Sequence, residues 1–468
     1  MRAFGRLLTF GLVTVASPTA AQFTSYISEF IRVNYTLDGN WNSSTSVAQE
    51  TIVNAAQWFA AQGPWSVMNK TYLAPSNDSH DYLSWAPYYI ANCSNVQNTT
   101  ELTPQQIWTE CDYVNEDGVF SPDVRLVNDT GNFQAMSDAV FYNTLAYKIT
   151  GDVSYANTVV WFIDIWFLNN ATYMNPNLDY AQVVRGVNGS HGGTHYGVLD
   201  LHGMTKVASA VLVLRASQAA AWTSSLDQAF SAWCTEYVNW LTTSTLGLGE
   251  LASTNNHGTF AFNQVAAIQA MLGNSSAAKA TLNQYFNGIY QNQIIANGDQ
   301  PLESARTRPY HYRAYNAAAV ITIHRIGDYL GLNTWNTTTA AGANIQTAVD
   351  FAMPIAPGAD APDELYPDVA AIASHFGDPT GKYAAWLAQK DPLYPAEANF
   401  FWSQPLGDSG LKVTEEQLLN PNGTGTSTAS GSSATGGSTK SGAMQAWATP
   451  SVMLFSMTAL ALGAVGLI

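Results

Sequence analysis

Residues 225–241 read SLDQAFSAWCTEYVNWL. Leu226, Phe230, Trp233, Tyr237 and Trp240 fall three or four apart, the spacing that puts side chains on one face of an α-helix. The same period recurs in 46–62, through Ile52, Ala55, Ala56 and Phe59, and in 154–168, through Tyr155, Val159, Phe162 and Trp166. No comparable run alternates with the period of two that a half-buried strand requires. Helix stops such as Thr150-Gly151-Asp152 and Leu272-Gly273-Asn274 separate the segments, and the short spacing makes consecutive helices antiparallel neighbours. The fold class expected is therefore all-α, a toroid of helical hairpins with long loops lining a groove at one end. Three polar stretches, 75–135, 172–203 and 243–258, are rich in Asn, Gly, Asp and His and are read as those loops.

Outside this helical body the two chain ends carry their own signals. Arg2 and Arg6, the apolar run Leu7–Val15 and the small residues Thr19-Ala20-Ala21 follow the order of a secretory signal peptide, 1–21. Residues 421–441, PNGTGTSTASGSSATGGSTKS, can bury nothing and read as a flexible linker. Beyond it come Ser441-Gly442-Ala443, a polar spacer and the uncharged run Val452–Ile468, the grammar of a glycolipid-anchor (GPI) signal with Ser441 as attachment residue and 442–468 removed. The helical domain is thus 22–420, secreted and tethered to the cell membrane or wall. Twelve Asn-x-Ser/Thr acceptors, at Asn34, Asn42, Asn69, Asn77, Asn92, Asn98, Asn128, Asn170, Asn188, Asn274, Asn336 and Asn422, fit a secretory route. In that oxidising compartment Cys93 and Cys111, which enclose a short polar loop, are expected to pair, while Cys234 sits in a helical pattern as a buried small hydrophobe.

Composition narrows the class of partner. Hydrophobic residues make up 47% of the 468 and charged residues only 11%, enough to build a large core and too apolar for a disordered chain. With 34 acidic against 18 basic residues the formal charge is −16, which repels phosphate backbones and argues against nucleic acid. The 14 Trp and 23 Tyr supply flat apolar faces with a polar edge, a surface suited to sugars as well as to cores.

Chemistry-bearing residues cluster in three places. Asn255-Asn256-His257-Gly258 sets two amides and an imidazole at a helix entry. Glu303-Ser304-Ala305-Arg306-Thr307-Arg308-Pro309-Tyr310-His311-Tyr312-Arg313 gathers three arginines in an acidic chain; Pro309 holds Arg308 extended and places Tyr312 near the start of the next helix. Ser79-His80-Asp81-Tyr82 lies after the first helix. Each has a plain structural alternative: helix caps for the asparagines, surface pairing for the arginines, a backbone carbonyl for His80.

Taken together, His80-Asp81-Tyr82-Leu83-Ser84 with Ala86-Pro87-Tyr88, Met174-Asn175-Pro176-Asn177-Leu178-Asp179-Tyr180-Ala181-Gln182, Asn255-Asn256-His257-Gly258, and Pro301-Leu302-Glu303 with Arg306-Thr307-Arg308-Pro309-Tyr310-His311-Tyr312 resemble the alginate-lyase superfamily of polysaccharide lyases, in order and separation, over about 70–330. The resemblance, to a secreted eukaryotic member of alginate or glucuronan lyase type, implies an (α/α) toroid cleaving a polyuronate by β-elimination without cofactor or metal, as a monomer. Carried over by position, Tyr312, His257, Asn256 and Arg306 are the expected catalytic residues; His80, Tyr82, Asn255, Arg308, His311 and Gln182 are expected to bind an acidic polysaccharide. Tyr173 stands where a basic residue is expected, and a cysteine-containing insertion follows Tyr89.

In such a reaction the uronate carboxylate must be neutralised so that C5 can lose its proton. Arg306 and the Asn256 amide suit that task. A phenol whose pKa is lowered by a nearby arginine can take the proton and return it to O4, a role for Tyr312, with His257 assisting or acting as base where C5–H and O4 lie on opposite faces. Arg306, Arg308, His311 and Arg313 are expected to focus a positive field inside the acidic molecule. Three rival readings are open: a hydrolase using Glu250, Asp299 and Glu303; a metal site from His191, His195, His202 and Asp200, in a segment too glycine-rich for a two-histidine helical face; and a glycan-binding protein without catalysis.

Overall fold

The structure, a computed structural model, describes residues 23–97, 101–404, 406, 411–413 and 417. The expected signal peptide (1–21), the expected linker (421–441), Ser441 and the expected anchor signal (442–468) lie outside the described residues. Sixteen α-helices are present among them: α1 (Val33–Asp38), α2 (Ser46–Gln62), α3 (Pro104–Glu110), α4 (Asp129–Thr150), α5 (Val153–Ile163), α6 (Met204–Ala216), α7 (Ser224–Thr243), α8 (Thr245–Leu251), α9 (Asn256–Met271), α10 (Ser275–Asn287), α11 (Pro301–Ser304), α12 (Pro309–Tyr329), α13 (Ile345–Ala352), α14 (Tyr366–Phe376), α15 (Lys382–Lys390) and α16 (Ala398–Trp402). The three periodic segments form α2, α5 and α7, and α5 runs on into a π-helical turn over Asp164–Leu168. Gly151 and Gly273 end their helices at φ +74° and +77°, the left-handed region where glycine is free of the Cβ clash.

Burial sorts these helices into two layers. The inner ones, α4, α6, α9, α12 and α14, are buried on most faces; every residue from Met204 to Leu214 of α6 is buried. They contact one another in series, α4 to α6 to α9 to α12 to α14, and α16 with α2 closes the circuit back to α4. The outer ones, α5, α7, α10, α13 and α15, turn a single apolar face inward, as their periodicity requires. The result is the (α/α) toroid expected from sequence.

The centre of the ring is filled by the chain's own N-terminal stretch. Ser25 bonds Asp138 of α4 at 2.7 Å, Ser209 of α6 takes the Ile31 amide at 3.0 Å, and Asn263 of α9 donates to Ser28 at 3.4 Å. Thr322 of α12 bonds the Ser28 carbonyl, Arg32 reaches Ser374 of α14 at 3.1 Å, and the Tyr26 hydroxyl accepts from the Asn399 amide of α16 at 2.9 Å. Glu29 pairs with the buried Arg325 and accepts from Trp402 at 2.9 Å. Beside it the buried Lys206–Asp138 pair, 2.6 Å apart, is the kind whose disruption costs ~3–5 kcal/mol because it strands a charge.

One departure from the all-helical expectation lies in the cysteine-containing insertion. Strands β1 (Tyr89–Asn92) and β2 (Asp112–Asn115) pair antiparallel, and the Cys93–Cys111 disulfide joins their adjoining ends around α3. Four-residue strands are too short to announce themselves by alternation. Cys234 is fully buried and burial raises its thiol pKa, so it behaves as a core residue. All ten acceptor asparagines within the described residues, Asn34, Asn42, Asn69, Asn77, Asn92, Asn128, Asn170, Asn188, Asn274 and Asn336, are exposed; Asn98 and Asn422 fall outside them.

Candidate active site

The three long polar stretches converge at one end of the ring, on the N-termini of α9 and α12. The first two are stitched together by Ser84 N–H on the Tyr180 carbonyl at 3.2 Å and Ala86 N–H on that of Val183 at 3.0 Å. The third is not a loop throughout: α8 occupies Thr245–Leu251, started by the Ser244 side chain on the Gly247 amide. That short helix delivers Glu250 into the interior.

Glu250 is completely buried and receives two imidazoles, His257 Nδ1 at 2.7 Å and His195 Nδ1 at 2.6 Å. Burial pushes its carboxyl pKa up, but the bonds from His195 and His257 outweigh that and hold it below its ordinary value. An ionised acceptor on both Nδ1 atoms makes each of them a donor and turns each Nε2 outward. Asn255 caps α9, its side chain accepting the His257 amide at 3.3 Å, as the cap reading of the pair anticipated for one of them. Asn256 does something else: its amide and its side-chain nitrogen both donate to Glu303, at 2.7 and 2.6 Å. Glu303 is 1% exposed and burial raises its pKa against the pull of those bonds.

Across from this pair stands Tyr312, in the first turn of α12. Its hydroxyl accepts from Arg306 Nη2 at 2.8 Å and shares a hydrogen bond with Tyr88 at 3.2 Å, while the Arg306 guanidinium lies over its ring, 3.9 Å from the centroid. The expectation of a lowered phenol pKa is not met. Burial, followed by the Tyr88 bond, raises it well above its ordinary value, and the pull of Arg306 is too small to reverse this. Asp117 adds a smaller push in the same direction. Its carboxylate takes Arg306 in a two-pronged grip, Nε at 3.0 Å and Nη2 at 2.6 Å, and so offsets the charge that was to act on the phenol.

The other basic residues are matched in the same way. Arg308 bonds Asp360 at 2.8 Å and nears Glu364 at 3.6 Å; His311 Nδ1 lies 2.7 Å from Glu364; Arg313 bonds Asp299 at 2.8 Å. The expected positive focus is therefore paired off residue by residue, which corrects that reading. Among the residues expected to touch substrate, Tyr82 is buried at 1%, its hydroxyl between Thr130 and Asp200, each at 3.1 Å, so it braces the wall and does not face a ligand. Gln182, held at φ +49°, donates to the same Asp200 at 2.8 Å. His80 stacks on Tyr173 at 4.2 Å and bonds its carbonyl at 2.6 Å, the structural alternative noted for it.

Of the rival constellations, the carboxylates for hydrolysis are each engaged: Glu250 by two imidazoles, Glu303 by Asn256, Asp299 by Arg313 and Ser304. For the metal reading, His195 turns to Glu250, and His202 keeps Nδ1 on the Leu199 carbonyl with its pKa pushed down to about 4 by desolvation.

The family model for alginate lyases matches residues 66–362. The chain belongs to the alginate lyase family. This makes it a polysaccharide lyase, and the matched span holds Tyr88, Asp117, His195, Glu250, Asn256, His257, Glu303, Arg306 and Tyr312. A crystal structure of an alginate lyase from Bacteroides ovatus superposes with a TM-score of 0.70 at 26% identity, covering 82% of this chain and 100% of that one. Alginate lyase A1-III from Sphingomonas species A1 matches with a TM-score of 0.43 at 14% identity, over 76% of this chain and 91% of that one. No curated protein matches.

Proposed function

We propose that this lyase cleaves a β-1,4-linked polyuronate, polymannuronate or glucuronan, by β-elimination, with Tyr312 as base and acid and Arg306, Asn256 and His257 around the uronate carboxylate. The observation that carries this reading is the 2.8 Å contact between a guanidinium and a phenol oxygen, beside an amide and an imidazole held by buried acids. The names of the relatives, alginate lyases, support a uronate polymer as substrate. Arg306 neutralises the carboxylate, so the charge that develops as C5 loses its proton is held as an enolate. Tyr312 takes that proton. As the C4–O4 bond breaks and C4=C5 forms, the phenol returns the proton to O4, so no water is consumed and Tyr312 is regenerated. Sugars with C5–H and O4 on one face, β-mannuronate and β-glucuronate, need only this one group. For opposite faces, His257 Nε2 would serve.

Elimination leaves a conjugated C4=C5 bond and hydrolysis does not. A panel of polyuronates should therefore give rising ultraviolet absorbance with at least one member. Reducing ends without absorbance would identify a hydrolase; no depolymerisation of any acidic glycan would identify a binding protein.

We also propose that the enzyme works at the cell surface on a glycolipid anchor, with 421–441 as tether. Treatment of membranes with a phospholipase specific for phosphatidylinositol should release it. Retention, with Val452–Ile468 still attached, would overturn the anchor.

A further inference from the structure

Three carboxylates surround the catalytic groups, and they differ in how firmly they are held. Glu250 and Glu303 are sealed in the interior on α8 and α11. Asp117 belongs to the turn that follows β2, and its side chain is 30% exposed against 21% for Arg306. The turn is anchored at its base: the Glu116 amide donates to the Tyr88 carbonyl at 2.8 Å and the Ser121 amide to that of Pro87 at 2.7 Å. Its outer part meets Arg306 and Thr307 through Asp117, which also accepts from the Thr307 hydroxyl at 3.2 Å, and through Gly118, whose φ of +79° and close approach to Thr307 leave no room for a Cβ. Val119 and Phe120 at its tip are half-exposed.

A carboxylate gripping a guanidinium through Nε and Nη2 makes the same contact that a uronate carboxylate would make there. Resting on the reading of Arg306 as the uronate anchor, we propose that Asp117 is a built-in stand-in for that carboxylate, and that substrate enters by exchanging one carboxylate for the other on Arg306. The exchange is a specificity device. A neutral sugar has nothing to offer the guanidinium and leaves the Asp117–Arg306 pair closed over the ring of Tyr312; an anionic sugar replaces like with like, so little net charge pairing is lost. Asp117 is thus a positioning and selecting residue, and Tyr88, on the strand side of the same turn, shares in the change because its hydroxyl bonds that of Tyr312.

The test measures binding and a pH profile. The ligand is a saturated uronate tetrasaccharide, titrated by calorimetry into Tyr312→Phe and into the Tyr312→Phe, Asp117→Asn double variant. Removing a competing, half-exposed partner should tighten binding roughly five-fold, and Asp117→Ala in the same background should do so too. On the Tyr312 enzyme, Asp117→Asn should lower KM similarly and move the rising limb of kcat/KM to lower pH, because Arg306 then acts on the phenol unopposed. The groups facing that pair are Asp117, Tyr88, Glu303 and the His311 ring, and only the first is changed. If uronate binds but both Asp117 variants bind it equally or more weakly, or kcat falls with KM and the pH limb unmoved, Asp117 merely orients Arg306 and the exchange is refuted. If no uronate tetrasaccharide binds either Tyr312→Phe protein, the reading of Arg306 falls and the exchange with it.

Discussion

Tyr312→Phe should reduce turnover on every cleaved polyuronate by ~10²–10⁴ or more, the range for losing a general acid–base group, while oligosaccharide binding barely changes. Phenylalanine keeps the ring that Arg306 covers and removes only the oxygen that Arg306 and Tyr88 address. Because burial raises the Tyr312 pKa, the phenolate is the minor form near neutrality, and the sign of the pH dependence follows. The rate of the wild-type enzyme should climb with pH, by about one decade per unit where a single proton is involved, and that climb should vanish in the variant. Neighbouring tyrosines are poor substitutes: the Tyr310 hydroxyl donates to the Pro362 carbonyl at 2.9 Å, and Tyr315 packs against Phe260, 4.5 Å between ring centroids. Wild-type turnover in Tyr312→Phe would nonetheless move the role to one of them. Arg306→Ala differs in kind, since the guanidinium acts in ground and transition states alike and both binding and turnover should weaken.

The second large effect is expected at Glu250, which touches no substrate. Glu250→Gln preserves shape, yet an amide can accept from only one Nδ1–H through its oxygen and must present N–H to the other. One of His195 and His257 is then driven to the tautomer with its proton on Nε2, or loses its bond. On substrates with C5–H and O4 on opposite faces turnover should fall roughly 10²-fold or more, by analogy with acids that fix a catalytic histidine. His257→Ala separates the cases by substrate: severe where C5–H and O4 lie on opposite faces, milder on β-mannuronate or β-glucuronate. Kinetics of Glu250→Gln equal to wild type on both substrate types would show that the pair of imidazoles is structural.

What could be read from sequence and what could not divides along contact range. Leu226, Phe230, Trp233, Tyr237 and Trp240 announce α7 because a helix encodes its buried face within one run of residues. Arg306 and Tyr312, six apart at a Pro-started helix, could be placed together for the same reason. Asp117 could not, because 189 positions separate it from Arg306 and nothing local in Glu116-Asp117-Gly118 marks a partner. The matching of Arg308, His311 and Arg313 to Asp360, Glu364 and Asp299 was hidden likewise, so a cluster of cations looked like a field when it is a set of closed pairs. Glu250 was visible but weighed for hydrolysis, because its two histidines arrive from different segments. Tyr82 shows the opposite error, a motif residue whose hydroxyl faces inward to Asp200.

The segment Thr24–Arg32 that fills the ring carries a kinetic consequence. It leaves the ribosome early, yet Glu397, Asn399, Trp402 and Gln404, which hold it, come some 370 positions later. A chain that stops short of Glu397 cannot complete this centre, however well its early hairpins form, and the loop that must close spans 373 positions. Closure of the ring is therefore a late event, slow by the rule that distant contacts delay folding, and it fastens the first and last turns of the described fold to each other.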